Sequence, residues 1–225
     1  MKLHADLILR ASAHPQQLQW EDSPSTGVQR LRLECDDDHQ PVERVTTVVR
    51  FAAESSFRSH VHGGGEEILV LDGVFSDQYA DYPSGYYVRN PPGSSHVPQS
   101  KPGCTILVKL WQMQPDDQQH VAIDTHDSQL WHTLPDDSQR LNLFEANYET
   151  VEMLRWPAGL ALKTPVFAGG VEYFVIEGRF SDQMDVYAKG SWLRLPAGSS
   201  QHIQVEQDCL VWRKTGHLLN PVRYA

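Results

Sequence analysis

Cysteine is scarce in this chain of 225 residues, and its three cysteines, Cys35, Cys104 and Cys209, lie far apart. Because no Cys-x-x-Cys pair occurs, neither a disulfide scaffold nor a cysteine-rich zinc site is expected. Long apolar runs are missing too: no stretch approaches the length that crosses a bilayer, and the N-terminus lacks the apolar core of a signal peptide. We therefore expect a cytoplasmic protein without membrane contact.

Positive charge is also in short supply. The chain has 19 Lys and Arg residues against 29 Asp and Glu residues, a formal net charge of −10. Nucleic-acid binding requires a basic patch that neutralises phosphates, and no stretch of the chain supplies one. Nucleic acid is therefore not expected as a partner, and the acidic runs, such as Asp36-Asp37-Asp38, are expected in solvated loops.

No long helix is indicated by the sequence. Apolar residues recur with a period of two in short segments bounded by Gly, Pro, Asp or Ser, which is typical of β-strands. The predicted strands of the first half are 31–34, 45–51, 67–71, 86–89 and 105–111, and the second half repeats this scheme. Residues 121–139 are interpreted as a connection, and three histidines in or beside it are expected at the surface: His120, His126 and His132. An all-β fold is predicted.

One internal repeat organises the chain. Gly73 lies in Leu-Asp-Gly-Val-Phe-Ser-Asp and Gly178 in Ile-Glu-Gly-Arg-Phe-Ser-Asp, 105 residues further on. The same offset relates Gly85 to Gly190, Pro91 to Pro196, Cys104 to Cys209 and Lys109 to Lys214. A copy of this length is the size of a small domain rather than of a solenoid repeat. We predict two domains of one fold, 1–115 with additional N-terminal strands and 116–225, and the matching cysteines indicate a packing role.

Four candidate metal ligands lie in the first copy, within segments 60–66 and 91–96. His60 and His62 are two residues apart, so they point to the same face of a strand; Glu66 returns after a three-glycine turn, and His96 completes the set. Three imidazoles and one carboxylate suit a single divalent transition metal, with zinc as the first choice and iron, manganese or nickel as alternatives. The competing interpretation is that His60 and His62 are polar residues of an exposed strand.

The second copy shows which residues the fold retains without the metal ligands. Its residues at the four ligand positions are poor ligands: Pro165, Phe167, Val171 and Gln201. The metal site of the domain 116–225 is therefore predicted to be degenerate. His202 lies one position late, which reverses the face on a strand, so it is expected at the surface. Glu67 persists as Glu172 while Glu66 does not persist, and this favours Glu66 as the ligand and Glu67 as a structural residue.

Arg58 is the candidate for substrate binding, because it lies two residues before His60 and so on the ligand face of a regular strand. It has a basic counterpart in Lys163. Arg89 persists as Arg194 and is interpreted as a salt-bridge or loop residue. No catalytic residue is predicted. Three aromatic residues are candidates for the wall of an apolar pocket: Tyr79, Tyr87 and Trp111.

Two linked motifs resemble those of the cupin superfamily, and specifically the ChrR-type cupin. Residues 60–77 read His-x-His-x-Gly-Gly-Glu-Glu-x-x-Val-Leu-x-Gly-x-Phe-x-Asp, and residues 82–96 read Tyr-Pro-x-Gly-x-Tyr-x-Arg-x-Pro-Pro-Gly-Ser-x-His. Ser100 stands where the general cupin motif has Asn. The resemblance implies a bicupin, a tandem of double-stranded β-helix jelly rolls, with a metal bound by His60, His62, Glu66 and His96.

ChrR-type regulators are anti-sigma factors in which a helical N-terminal domain with its own zinc site grips the sigma factor, while the cupin domain senses stress. Nothing before Val45 resembles that helical domain, so a sigma-factor partner is not expected. The resemblance implies a regulatory protein that senses stress or a small-molecule ligand. Related cupins with histidine-rich iron sites cleave diketones or hydroxylated aryl ketones with oxygen, so an iron-dependent dioxygenase is the alternative, and the sequence leaves open whether the protein is an enzyme. A homodimer is compatible with the sequence.

Overall fold

The computed structural model describes residues 2–36 and 44–222. Asp37 and Asp38, which we predicted in a solvated loop, lie outside these ranges. The described residues form antiparallel β-structure with two short 3-10 helices, η1 (Pro15–Gln17) and η2 (Ser128–Leu130), and they contain no α-helix. The all-β prediction is confirmed. Within the described ranges, no helix has the length and apolar character needed to span a membrane.

The strands, numbered in chain order, belong to two groups. The first group consists of β1 (Lys2–Leu3), β3 (Glu21–Asp22), β4 (Val28–Asp36), β5 (Arg44–Phe51), β6 (Ser55–Ser56), β7 (His60–Val61), β8 (Glu66–Ser76), β9 (Asp81–Pro83), β10 (Tyr86–Asn90), β11 (Ser95–His96), β12 (Gln99–Ser100), β13 (Cys104–Leu110) and β14 (Val121–Asp124). The second group consists of β2 (Ala11–Ala13), β15 (His132–Thr133), β16 (Gln139–Glu145), β17 (Thr150–Trp156), β18 (Ala161–Lys163), β19 (Val171–Ser181), β20 (Val186–Ala188), β21 (Trp192–Leu195) and β22 (His202–Thr215).

The two groups of strands correspond to two compact units. The main part of the first unit is Leu18–His126, and the second unit consists of Asp6–Gln17 and Asp127–Pro221. These bounds differ from the predicted 1–115 and 116–225, because β14 pairs with β10 in the first unit and β2 pairs with β21 in the second. Residues 121–124, interpreted from sequence as part of a connection, are therefore a strand of the first sheet.

Each unit contains one large antiparallel sheet, and the order of the strands is the same in both. The first sheet runs β4-β5-β13-β8-β10-β14 and the second runs β16-β17-β22-β19-β21-β2. The register repeats as well: Thr47 lies opposite Val108 in the first unit, and Glu152 lies opposite Arg213 in the second. The offset of 105 residues that is visible in the sequence is thus kept in the backbone pairing of the central strands.

Side chains alternate between the two faces of each sheet, and one face forms the apolar interior of its unit. The interior of the first unit includes Val49, Phe51, Phe75, Ile106 and Val108, and that of the second includes Trp156, Tyr173, Phe180 and Tyr187. Cys104 and Cys209 are buried in these two interiors, where burial raises the pKa of their thiols to about 11 and about 12. Both cysteines serve packing, as predicted.

The glycines that revealed the repeat lie at irregular points of the sheets. Gly73 in β8 has φ +73° and Gly178 in β19 has φ +75°. A Cβ atom at Gly73 would overlap the carbonyl oxygen of Gly103, and one at Gly178 would overlap that of Asp208. The backbone of the neighbouring turn therefore approaches too closely for any other residue, which accounts for a glycine at this place in both copies.

Candidate metal centre

Four side chains of the first unit converge on one point. The potential ligand atoms of His60, His62, Glu66 and His96 all lie within 4.8 Å of one another, so this cluster could hold a metal ion. The Oε2 atom of Glu66 is 3.3 Å from Nε2 of His62 and 3.2 Å from Nε2 of His96. In the described parts of the chain, no second group of three or more His, Cys, Asp or Glu side chains has such an arrangement.

A two-stranded ladder places the three imidazoles side by side. β7 pairs with β11 so that His60 lies opposite His96 and Val61 opposite Ser95. The backbone N–H of His62 donates to the carbonyl of Ser94 at 2.9 Å, which extends the pairing by one residue. The ring centroids are consequently 5.0 Å apart for His60 and His62, 5.1 Å for His60 and His96, and 4.5 Å for His62 and His96.

The three-glycine turn brings Glu66 back to the histidines. A Cβ atom on Gly63 or Gly64 would overlap the Trp111 side chain, and one on Gly65, which has φ +76°, would overlap the Met113 side chain. Trp111 and Met113 also donate backbone hydrogen bonds to the carbonyls of Gly65 and Gly64 at 3.2 Å. Only glycines allow the turn to lie this close to its support. Trp111, a sequence candidate for the pocket wall, supports the three-glycine turn instead.

Burial sets the protonation of the cluster. His62, Glu66 and His96 are only 4%, 6% and 2% exposed, and His60 is the most exposed member. Burial, reinforced by the neighbouring imidazoles, lowers the pKa of His62 to about 3 and that of His96 to about 4, so both rings are neutral at physiological pH. Burial raises the pKa of Glu66 to about 7, although Asn90 donates a hydrogen bond to its carboxylate. Neutral imidazoles are the form that binds metal ions.

A polar atom lies near Nδ1 of each imidazole, and for His60 and His62 it is within hydrogen-bonding distance and geometry. Nδ1 of His60 is 3.0 Å from the carbonyl of Arg58, Nδ1 of His62 is 3.0 Å from Oγ of Ser94, and Nδ1 of His96 is 3.4 Å from Oδ2 of Asp77. Among the described residues, Nε2 of His62 and both ring nitrogens of His96 are buried without a hydrogen-bond partner. Because buried polar atoms are normally paired, the two Nε2 atoms together with the Glu66 carboxylate fit a divalent transition metal.

A cavity of about 1040 Å³ adjoins the cluster, and both His60 and Glu66 line it. Arg58 lines this cavity too, together with Arg30 and Arg32 of β4. The sequence reasoning missed Arg30 and Arg32, although the period-two pattern of β4 could have placed both on the inner face with Val28. The apolar wall was missed as well, and it consists of Val45, Val49, Phe51, Phe57, Phe75, Ile106, Val108 and Leu110.

Several residues singled out in the sequence lie elsewhere. Arg89 is fully buried and pairs with Asp117 at 2.6 Å and Glu67 at 3.4 Å, so it forms ion pairs away from the cavity lining. Tyr79 is exposed and Tyr87 is buried, and neither lines the cavity. The histidines expected at the surface are exposed: His120, His126 and His132.

The second unit has no comparable cluster among its described residues. Phe167 packs against the apolar interior, Val171 is fully buried and Gln201 is 3% exposed. Pro165, the fourth equivalent residue, has no ligand atom in its side chain. His202 is exposed at the start of β22, where its backbone N–H donates to Oε1 of Gln183. Its surface position agrees with the prediction from its one-residue offset.

Comparison with known protein families supports the two-unit architecture. A family model described as the ChrR cupin-like domain matches residues 9–114 and again residues 118–219. The protein is therefore a bicupin, as the sequence predicted. More narrowly, the chain belongs to the ChrR cupin-like domain family. No curated protein shows significant similarity to it.

Solved structures share the fold at low sequence identity. Ylba from E. coli is 12% identical with a TM-score of 0.72, and the match covers 98% of this chain and 95% of that one. The bacterial pirin YhhW from Escherichia coli, in complex with nickel(II), is 12% identical with a TM-score of 0.68, over 95% of this chain and 100% of that one. Salicylate 1,2-dioxygenase from Pseudoaminobacter salicylatoxidans, with gentisate adducts, is 11% identical with a TM-score of 0.60, over 78% of this chain and 69% of that one. These likenesses establish the fold.

Proposed function

We propose that the first unit binds one divalent transition metal through His60, His62, Glu66 and His96. This metal centre recognises a small molecule, as part of a regulatory, stress-sensing function of ChrR type. The observation that carries the proposal is the cavity of about 1040 Å³ beside the cluster. Protein sites for small molecules are concave, with volumes of roughly 300–1,000 Å³. A metal held by the cluster would thus be open to a ligand of that size.

The second candidate function is an iron-dependent dioxygenase acting on a small diketone or hydroxy-aryl ketone. The same cavity favours it, because a substrate there would lie next to His60 and Glu66. Four protein ligands complete a tetrahedral zinc site, whereas an octahedral iron, manganese or nickel ion would retain two open positions. Bound iron would supply the oxygen chemistry, and the chain would supply the ligands, the apolar walls and the arginines of the cavity.

Metal analysis of protein purified without a histidine tag tests the proposal, followed by oxygen uptake with a panel of β-diketones and hydroxy-ketones. We expect roughly one transition-metal ion per chain, since the described residues contain one cluster. Zinc without turnover would favour the sensor, and iron with oxygen consumption would favour the dioxygenase. Protein that retains no transition metal after incubation with each candidate ion and gel filtration would contradict both functions.

Metal affinity should depend on the protonation of Glu66. Its pKa of about 7 means that metal binding below neutral pH must displace a proton, whereas His62 and His96 are already neutral down to about pH 4. The affinity should therefore fall about tenfold per pH unit as the pH decreases below about 7. Competition titrations with a chromophoric chelator from about pH 5 to about pH 8 measure this slope.

Glu66→Gln is the control for the pH dependence, because the amide carries no titratable proton. This variant should bind metal more weakly, and its affinity should change less with pH than that of the wild type over the same range. The raised pKa of Glu66 also implies that the metal-free protein loses stability as the pH increases from about 4.5 to about 7, because over this range the glutamate ionises in the unfolded chain but stays protonated in the folded one. A wild-type affinity that does not change between about pH 5 and about pH 7 would contradict the assignment of Glu66 as a ligand.

Ser94 should strengthen metal binding through His62. Its hydroxyl donates to the carbonyl of Pro91 at 2.6 Å and so presents an oxygen lone pair to Nδ1 of His62. Ser94→Ala should weaken metal affinity by roughly 10-fold, the lower end of the effect of outer-shell partners. Ser199→Ala, the equivalent change in the second copy, is the matched control and should leave the affinity unchanged. Equal effects of the two changes in the chelator titration would show that Ser94 only supports its loop.

A further inference from the structure

We infer that the cavity of the first unit selects an apolar molecule with one anionic oxygen group, such as an aromatic carboxylate, and that Arg58 binds that group. The inference rests on the proposed function, because the cavity adjoins the proposed metal centre. It adds a ligand class to that centre. Three features of the cavity carry it, namely the chemistry of the walls, the charge of the arginines and the difference between the two copies.

Aromatic and branched aliphatic side chains form most of the inner wall. Phe51 packs edge-on against Phe57 with ring centroids 5.4 Å apart, and against Phe75 at 6.1 Å. Val49 and Ile106, which pair across β5 and β13, continue this apolar surface. Covering such a surface with an apolar body removes it from water, which is the main favourable contribution to binding. A sugar or another strongly polar molecule would leave its hydroxyl groups unpaired here.

The charged residues of the cavity are predominantly positive, although the whole chain has a net charge of −10. Three arginines line it, Arg30, Arg32 and Arg58, against two carboxylates, Glu54 and Glu66. Arg32 is bonded to Glu21 at 3.2 Å, and the Arg30 guanidinium lies 5.9 Å from the centre of the Phe57 ring. Among the described residues, no acidic side chain forms an ion pair with the exposed Arg58. Its guanidinium is therefore available for a carboxylate, which it can bind with two parallel hydrogen bonds.

The second copy, whose described residues contain no comparable cluster, carries larger side chains at several of the corresponding positions. At four positions that line the cavity, the residue 105 positions later is larger: Thr47 becomes Glu152, Val49 becomes Leu154, Phe51 becomes Trp156 and Val108 becomes Arg213. Arg213 and Glu152 moreover form an ion pair at 2.5 Å between β22 and β17. The fold therefore does not require small side chains at these positions. Their presence in the copy with the cluster indicates that the space serves a ligand.

The experiment is isothermal titration calorimetry on the metal-loaded full chain with three probes of one shape: 1-naphthoate, neutral 1-naphthalenemethanol and cationic 1-naphthalenemethylamine. We expect naphthoate to bind about tenfold or more tightly than the alcohol, and the amine to bind most weakly. Arg58→Gln should abolish the preference for naphthoate over the alcohol. Lys163→Gln removes the same charge at the equivalent position of the second copy, and it should retain that preference.

A double variant, Thr47→Glu with Val108→Arg, introduces into the first unit the ion pair that Glu152 and Arg213 form in the second unit. This double variant should abolish naphthoate binding and leave the metal content unchanged. If it does not fold, Arg58→Gln remains as the test, because Arg58 is exposed and its replacement does not disturb the interior. Equal affinity for naphthoate and the alcohol, or equal behaviour of the Arg58 and Lys163 variants, would overturn the inference. Metal content is measured first, so that a metal-loaded protein indifferent to naphthoate refutes the ligand class alone, whereas a protein without metal refutes the proposed function.

Discussion

Replacing His96 with alanine is expected to reduce bound metal from roughly one ion per chain to almost none. His96 is 2% exposed, and its Nε2 atom faces the carboxylate of Glu66 at 3.2 Å, so no water molecule can easily replace the ring without rearrangement. Loss of a ligand should weaken affinity by more than the roughly 10–100-fold that follows loss of an outer-shell partner. His62→Ala should have the same effect. Metal content after gel filtration measures both.

The matched control is His202→Ala in the second copy. His202 follows the position equivalent to His96, and it is exposed. Its replacement should change neither the metal content nor the stability. If the His202 variant lost metal while the His96 variant retained it, the metal site would lie in the second unit rather than in the first. The circular dichroism spectra of the three variants should be alike, because a fold held by two large sheets does not depend on one imidazole.

Gly178→Ala should strongly destabilise the second unit. Alanine at φ +75° costs roughly 1–2 kcal/mol relative to glycine, and the new Cβ would also overlap the carbonyl oxygen of Asp208. Relief of such a clash moves backbone, so overpacking adds roughly 1–3 kcal/mol. We therefore expect the free energy of unfolding of the second unit to fall by roughly 2–5 kcal/mol, measured by urea denaturation.

Gly198→Ala separates the two contributions to this loss. Gly198 has φ +82°, but no described atom beyond its chain neighbours lies within 4 Å of the place where its Cβ would be. This variant should therefore lose only the roughly 1–2 kcal/mol that a left-handed conformation costs alanine. Both glycines are in the second copy, so neither change involves the candidate metal cluster. Equal losses in the two variants would show that the turn at Asp208 moves aside without cost.

The sequence predicted those features that depend on local pattern or on spacing within one motif. Alternation of apolar residues indicates a strand at 45–51 without knowledge of its neighbours, and the structure has one at Arg44–Phe51. His60, His62 and Glu66 lie within seven residues, so a strand and a tight turn suffice to bring them together. Glu67 persists as Glu172 in the second copy, which favoured Glu66 rather than Glu67 as the candidate ligand. The structure places Glu67 beside Arg89 rather than in the cluster.

Features that depend on long-range pairing were not predictable in the same way. The strand Ala11–Ala13 consists of small residues, and it becomes a strand only because it pairs with β21, about 180 residues later in the chain. The segment 121–124 is likewise too short to stand out. The cavity depends on which side chains face each other across paired strands, such as Thr47 and Val108. That information resides in the register, which no single segment reveals.

Each sheet has an edge strand that lies outside its own copy of the repeat in the sequence, so the repeated sequence and the folded unit have different boundaries. β2 reaches the second sheet from a point before the first copy, and β14 joins the first sheet from a point after it. A fragment cut at residue 115 would therefore expose the hydrogen-bonding edge of β10, and the complementary fragment would expose that of β21. Open edges of this kind promote aggregation, so each copy depends on a strand that lies outside its own repeat to close its sheet.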